Sequence, residues 1–383
     1  MNCGKATKPH GKYKRLKKAL LQMSSDLASK TFSFMKNKKV LITGDTGFKG
    51  SWLSMWLAKL GAEVTGFSLP AEPHQILAPI NQEAKFLHHI DGDVRDSQKI
   101  NKLISDLKPD IIFHMAAQAL VRKSYSEPQL TFDTNLMGSV NVLEAVRNSD
   151  FVRSLVYITS DKCYLNKEFT RGYHENDELG GKDPYSASKA CAEIAFAAYR
   201  ESFFHSRQDI GIASTRAGNV IGGGDRSDDR IVPDTISSLE SGDPIILRNP
   251  EATRPWQHVL DPLYGYMRLA IELTENPIEF SGSWNFGPED QSIRTVNDLA
   301  QALIQEWGKG QIEHQNDPMA PYESTLLHLS SEKARQRLNW STLWDFGRAA
   351  KESAKWYREI LDGGDPMEIS QKQIESYIFE VSE

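Results

Sequence analysis

"KVLITGDTGFKGSWLSMWLAKLGAEVTGFSLP", Lys39–Pro70, decides the fold. A short β-branched run comes first, then glycines at 44, 47 and 50, then apolar residues at helical spacing, then a second β-rich run. Such a pattern predicts a strand, a tight turn, a helix and a parallel strand. Gly44 allows the turn, Gly47 lets a pyrophosphate approach the backbone, and Gly50 lets helix and strand pack closely. The free N–H groups that open the helix then face the anion. The residues assigned to the dinucleotide here are Gly44, Thr46, Gly47, Phe48, Lys49 and Gly50. The second strand ends in "GFSLP", without the acid that commonly holds the adenine ribose. No arginine stands nearby for a 2′-phosphate, so the expected cofactor is NAD rather than NADP.

The alternation continues outward from this unit. "HHIDGDVRD" (88–96) reads as a third strand with Asp93 and Val94 at its turn, where Asp93 could bond the adenine amino group. Asp93 also reads as the cap of the next helix. Residues 97–107 read as that helix, and "DIIFHMAA" (110–117) as a buried strand ending in Ala116 and Ala117 at the cofactor edge. A helix is expected over 131–149, a strand over 154–160, a helix over 184–205 and a strand over 211–220. Near-continuous apolar strands separated by helices imply a doubly wound parallel α/β sheet of Rossmann type. Residues 35–220 are assigned to this NAD-binding domain. Residues 221–383 are assigned mostly to a smaller mixed α/β substrate lobe, with some segments returning to the sheet.

The bulk numbers agree with a soluble globular protein. The chain has 383 residues, 25% charged and 39% hydrophobic, with a net charge of −6. Residues 1–34 hold eight Lys/Arg and one Asp, so the remainder carries about −13. An acidic body does not draw nucleic acid through net charge, and no apolar run has membrane-spanning length. The basic segment lacks a secretory core and reads as a disordered extension, with a transit peptide as the other reading. Cys3, Cys163 and Cys191 are too few and too scattered for a disulfide framework, which points to a cytoplasmic protein. No spacing of ligands suggests a metal.

Two stretches carry chemistry. In "DPYSASKACAE", Tyr185 and Lys189 stand four apart, on one face of a helix that Pro184 can open. An ammonium beside a phenol favours the phenolate, which makes Tyr185 a candidate general base. In "YITSDKCY", Ser160, Asp161 and Lys162 end the fifth strand, at the edge where ligands of such sheets bind. Hydride transfer needs one proton relay, which Tyr185 and Lys189 supply. Asp161 and Lys162 are a further acid and base, and they suggest a second chemical step.

At these residues the chain resembles the extended short-chain dehydrogenase/reductase superfamily, and within it the nucleotide-sugar 4,6-dehydratases. "TGDTGFKGSWLSMWL", "TSDKCY", "DPYSASKACAE", "RAGNVIGGGD", "RIVPD" and "RNPEATRPWQHVLDPLYGY" carry the likeness, over residues 38–290. It departs at Asp45, His174 and Arg226, where the family commonly has His, Arg and Trp. Lys162 is similar to the CDP-sugar group, since the dTDP-glucose and GDP-mannose groups typically carry Glu there. The resemblance therefore implies a CDP-sugar substrate. It also implies roles: Ser160, Tyr185 and Lys189 for oxidation at C4, Asp161 as acid and Lys162 in the place of the C5 base. Tyr185 and Lys189 would also touch the cofactor. Gln118, Asn219, Arg230, Arg254 and His258 are the candidates for substrate binding, the arginines because a guanidinium fork matches phosphate. Asn135 matches an asparagine whose role is largely structural. Relatives pair through helices near 131–149 and 184–205, which implies a homodimer with a four-helix interface. An epimerase or reductase of the same fold, or an NAD-binding sensor without activity, are the alternatives.

Overall fold

The computed structural model describes residues 26–83, 87–315 and 326–383. Six parallel strands follow the expected order: β1 (Lys39–Thr43), β2 (Glu63–Ser68), β3 (Leu87–Asp91), β4 (Ile111–His114), β5 (Ser154–Ile158) and β6 (Gly211–Ala217). A seventh, Gly282–Phe286, returns from the second half of the chain and pairs with β6. Across the sheet the order is Gly282–Phe286, β6, β5, β4, β1, β2, β3. Chain order reverses at β1, so β1 and β4 part at their carboxyl ends and leave the crevice where such sheets bind ligands.

Helix α1 covers residues 26–35 and α2 is Phe48–Lys59. The first is a correction. Residues up to 34 were expected to lie outside the fold, yet Ala28, Thr31 and Met35 are buried. Phe32 packs on Trp56 at 6.3 Å and Tyr264 at 6.0 Å between ring centroids. Residues 1–25 of the basic segment lie outside the described residues.

Gly47, extended at φ −70° and ψ 166°, opens α2 without a side-chain cap. The helix is buried along most of its length because it is covered on two sides. Trp52 Nε1 donates to the Gly223 carbonyl at 2.9 Å. Trp56 stacks on Tyr264 and meets Tyr377 edge-on at 5.4 Å. The final helix, Pro366–Ser382, and the helix Leu260–Glu275 thus hold the glycine turn from behind. One apolar cluster runs from β1 and α2 through Leu260–Glu275 to the last helices.

Elsewhere the expected helices shift in detail. Residues 131–149 are a short helix, a π turn at Asp133–Gly138 and the helix Ser139–Arg147. The helix expected over 184–205 is Pro184–Tyr199, followed by a π turn at Arg200–Phe204. Residues 69–83 contain the helix Leu77–Glu83.

Candidate active site

The turn after β1 is built for close approach. Gly44 has φ +77°, and a Cβ there would lie 2.7 Å from the Ala116 backbone nitrogen. A Cβ on Gly50 would lie 2.1 Å from the Gly44 carbonyl oxygen. The cradle is therefore open backbone, with α2 starting behind it, which fits a pyrophosphate. Gly44→Ala is expected to cost about 1–3 kcal/mol in backbone strain. It should also weaken NAD binding. Thermal unfolding together with an NAD titration checks this, and unchanged values of both would refute it.

The Thr46 and Ser68 hydroxyls bond at 2.9 Å where the strand-end acid is missing. Asp93 accepts from Arg95 Nε at 2.9 Å and from the Arg95 backbone at 2.9 Å, so its carboxylate is tied within its own turn. That pairing holds its pKa below the ordinary carboxylate value. Asp96, not Asp93, caps the following helix. Val94 is buried against Gly138, and Ala117 lines the crevice while Ala116 backs the turn.

Asp45 is turned inward, away from the crevice. Its side chain passes under Gly66, where a Cβ would come within 2.2 Å of the carboxyl. His89 Nδ1 donates to Asp45 Oδ2 at 2.7 Å, and Asp91 faces the other ring nitrogen at 3.0 Å. The Asp45 hydrogen bond is the main cause that raises the His89 pKa above 6.5. A raised histidine pKa adds stability that is complete below the unfolded value and fades as pH rises through the folded value. Wild-type protein is thus expected to lose stability to urea as pH climbs from 6.5. His89→Gln should show a flatter profile, and parallel profiles would refute the linkage.

The carboxyl edge of the sheet opens into a cavity of about 390 Å³. Phe48, Lys49, Ser160, Asp161, Lys162, Tyr185 and Lys189 all line it. Asp183 caps the helix Pro184–Tyr199 by accepting from the Ser186 backbone at 2.9 Å, and Pro184 occupies its first turn. Tyr185, Lys189 and Glu193 then repeat every four residues on its buried face. Asn135, from the π turn, accepts from the Gln118 backbone at 2.8 Å and donates to Ser188 Oγ at 2.9 Å. It braces the cofactor-side loop against this helix, a structural role as expected.

Electrostatics differ from the sequence-based expectation in one respect. The Tyr185 phenol is not lowered but pushed up to about 12, chiefly by burial. The strongest downward pull comes from hydrogen bonding with Ser160, then from Arg230, rather than from Lys189. Lys189 is itself brought down to about 8 by burial, against upward pulls from Cys163 and Glu193. Lys49 falls to about 8 through burial and the nearby charges of Lys189 and Arg230. Asp161 is 3% exposed. Burial raises its pKa against the opposing effects of Lys162, Ser160 and Arg254. Ser160 Oγ donates to its Oδ1 at 2.9 Å, while Oδ2 has no hydrogen-bond partner among the described residues. A raised carboxyl with a bare oxygen is suited to hold a proton and give it up.

Of the expected substrate contacts, Asn219, Arg230 and Arg254 line the cavity. Arg230 Nη1 meets Asp225 Oδ2 at 2.9 Å. Two others do not belong there. His258 is fully buried between Trp344, at 4.6 Å between centroids, and Trp52. Burial brings its pKa down to about 3, so it is a neutral core imidazole. Gln118 spends its amide inside its own loop, donating to Leu120 and Thr131 and accepting from Leu120. Sequence reasoning missed Arg122 and Arg248, which reach Asp229 at 3.3 and 3.1 Å on the cavity wall. Arg122 sits in no recognisable motif, whereas Arg248 opens the stretch "RNPEATRPWQHVLDPLYGY" that carries the family likeness.

The profile of the family described as GDP-mannose 4,6 dehydratase matches residues 41–353. The chain belongs to this family. It is 42% identical to the CDP-glucose 4,6-dehydratase of Salmonella typhimurium over 350 residues, covering 90% of this chain and 98% of that one. It is 26% identical to the GDP-mannose 4,6-dehydratase of Yersinia enterocolitica, covering 79% and 89%. In structure it resembles an epimerase of Methanothermobacter thermautotrophicus, with a TM-score of 0.77, 22% identity and coverage of 88% and 96%. It also resembles the dTDP-glucose 4,6-dehydratase of Bacillus anthracis solved with NAD, with a TM-score of 0.70, 21% identity and coverage of 86% and 99%. As a family member the chain is expected to share the fold of these enzymes, and its seven parallel strands do.

Proposed function

We propose that this chain is an NAD-dependent CDP-glucose 4,6-dehydratase, which converts CDP-D-glucose to CDP-4-dehydro-6-deoxy-D-glucose and water. The observation that carries the reading is one cavity holding two proton-transfer sets, Tyr185 with Lys189 and Asp161 with Lys162. The 42% identity to the Salmonella enzyme over 90% of the chain supports the choice of sugar nucleotide. An epimerase would need only the first set.

The glycine turn, with Ala116 and Ala117 facing it, would hold the cofactor's pyrophosphate, and Lys189 its nicotinamide ribose. When bound, the cofactor supplies a hydride acceptor at C4 and, after water has left, a hydride donor at C6. Tyr185 takes the O4 proton as C4 is oxidised. The Ser160 hydroxyl and Arg230 pull the phenol down against the burial that raises it. The resulting ketone acidifies the C5 proton, which Lys162 removes and, in the last step, gives back to C5. Asp161 protonates O6, so the C6–O6 bond breaks and water departs. Arg230 and Arg254 bind the diphosphate, and the walls exclude bulk water from the exchange.

Incubation with a panel of CDP-, dTDP-, GDP- and UDP-sugars tests this. Loss of one water from the CDP-glucose, with no net reduced cofactor, is expected. Sugars returned unchanged in mass would sink the reading.

We also propose that the protein is cytoplasmic and works as a homodimer. Both described cysteines, Cys163 and Cys191, are free thiols, and no helix among the described residues is long and apolar enough to cross a membrane. Met137, Ile194 and Phe203 expose large apolar groups on the two helical segments expected to pair. Ile194→Asp should halve the sedimenting mass. A variant that sediments as wild type does would count against this interface.

A further inference from the structure

Behind the cavity lies a buried ion pair that none of these steps uses. Glu193 Oε2 and Arg216 Nη2 are 2.6 Å apart, with side chains 0% and 3% exposed. Two buried charges need most of their remaining hydrogen-bonding groups met, and of this pair only Arg216 Nε has no partner among the described residues. Glu193 accepts from Thr159 Oγ1 at 2.5 Å and from Ser214 Oγ at 2.8 Å. Arg216 Nη1 donates to the Tyr164 hydroxyl at 2.7 Å and to the Glu175 carbonyl at 3.0 Å, and Nη2 donates to Ser283 Oγ at 3.0 Å. Burial disfavours both charges, yet the attraction between them holds the carboxyl below its ordinary value and the guanidinium above its own.

The partners of this pair bracket the acid–base segment. Thr159 comes immediately before Ser160, and Tyr164 immediately after Cys163. Tyr164 is fixed further by donating to Asn285 Oδ1 at 2.8 Å. Glu193 also stands one turn beyond Lys189 and two beyond Tyr185, on the same helix. We infer that Glu193 and Arg216 are positioning residues: they clamp both ends of Ser160–Cys163 and fix Asp161 and Lys162 in register with Tyr185 and Lys189. The backbone bond from Thr159 to the Thr215 carbonyl, 2.8 Å, keeps Ser160 at the strand end without them. The clamp therefore matters most for Asp161 and Lys162.

This inference rests on the dehydratase reading, and its test separates the two. Thr159→Val and Tyr164→Phe each remove one hydroxyl handle and leave the ion pair intact. Water loss from CDP-glucose, followed by mass, is expected to slow roughly 10- to 100-fold, the scale of a small misplacement of catalytic groups. Oxidation at C4 should slow much less, so bound reduced nicotinamide should accumulate during turnover, seen by its absorbance. Equal slowing of both steps without accumulation, or unchanged rates, would overturn the positioning role while leaving the dehydratase reading in place. If the wild-type protein removes no water from any sugar in the panel, the reaction and the clamp fall together.

Discussion

Tyr185→Phe is expected to slow turnover by about 10²–10⁴-fold, the usual contribution of one general acid–base group. Only the hydroxyl is lost, and the ring is 8% exposed, so the cavity keeps its shape. NAD affinity should fall much less than turnover, because the glycine turn proposed for the pyrophosphate is on another element and the Tyr185 ring remains. The block should fall on the first step. No reduced cofactor should appear on mixing with CDP-glucose, and no water should be lost later. That pattern differs from a folding defect, which would lower NAD binding as well. A variant that keeps more than about a tenth of the wild-type rate would remove Tyr185 from the base role. Ser160, whose hydrogen bonding pulls the phenol down from its buried value, would then have to act on the substrate without it.

Much of the fold could be read from the chain because local and global signals coincide there. The helix over 97–107 has an Asp96 cap and a clear apolar stripe, and its bounds match the expectation. Helix Leu260–Glu275 escaped because it is buried on nearly every side, which erases the period that marks a surface helix. Helix α1 escaped because its residues stand next to a run of lysines, and composition outweighed the apolar positions at 28, 32 and 35. Ser160, Asp161, Tyr185 and Lys189, singled out by motif, line one cavity, since each follows directly from a strand end or a helix face. His258 and Gln118 show the limit. A polar residue in a shared motif can serve the core as readily as a ligand, and only the packing of Trp52 and Trp344, or a loop's own hydrogen bonds, decides which. The pKa of Tyr185 shows another limit. Spacing gives the neighbouring charge, but burial, which is the larger effect, is invisible in a linear sequence.

Asp161→Asn should separate the two halves of the reaction. Asparagine keeps the shape and can still accept from Ser160 Oγ, so the segment should hold its place. It has no acidic proton to give to O6. Burial raises the Asp161 pKa, which enlarges the fraction that carries a proton. That proton is worth most at Oδ2, which has no hydrogen-bond partner among the described residues. Removal of this acid should slow water loss by about 10²–10⁴-fold. Oxidation at C4, assigned above to Tyr185 and Lys189, should continue. The variant should therefore convert one bound sugar to its 4-ketone and stop, with reduced cofactor retained. Exchange of the C5 proton with deuterated solvent offers a second reading, since Lys162 remains able to remove it. Exchange without water loss would place Asp161 after the ketone has formed. If oxidation and water loss fall by the same factor, Asp161 acts on the first step too, and the division of labour between the two sets is wrong.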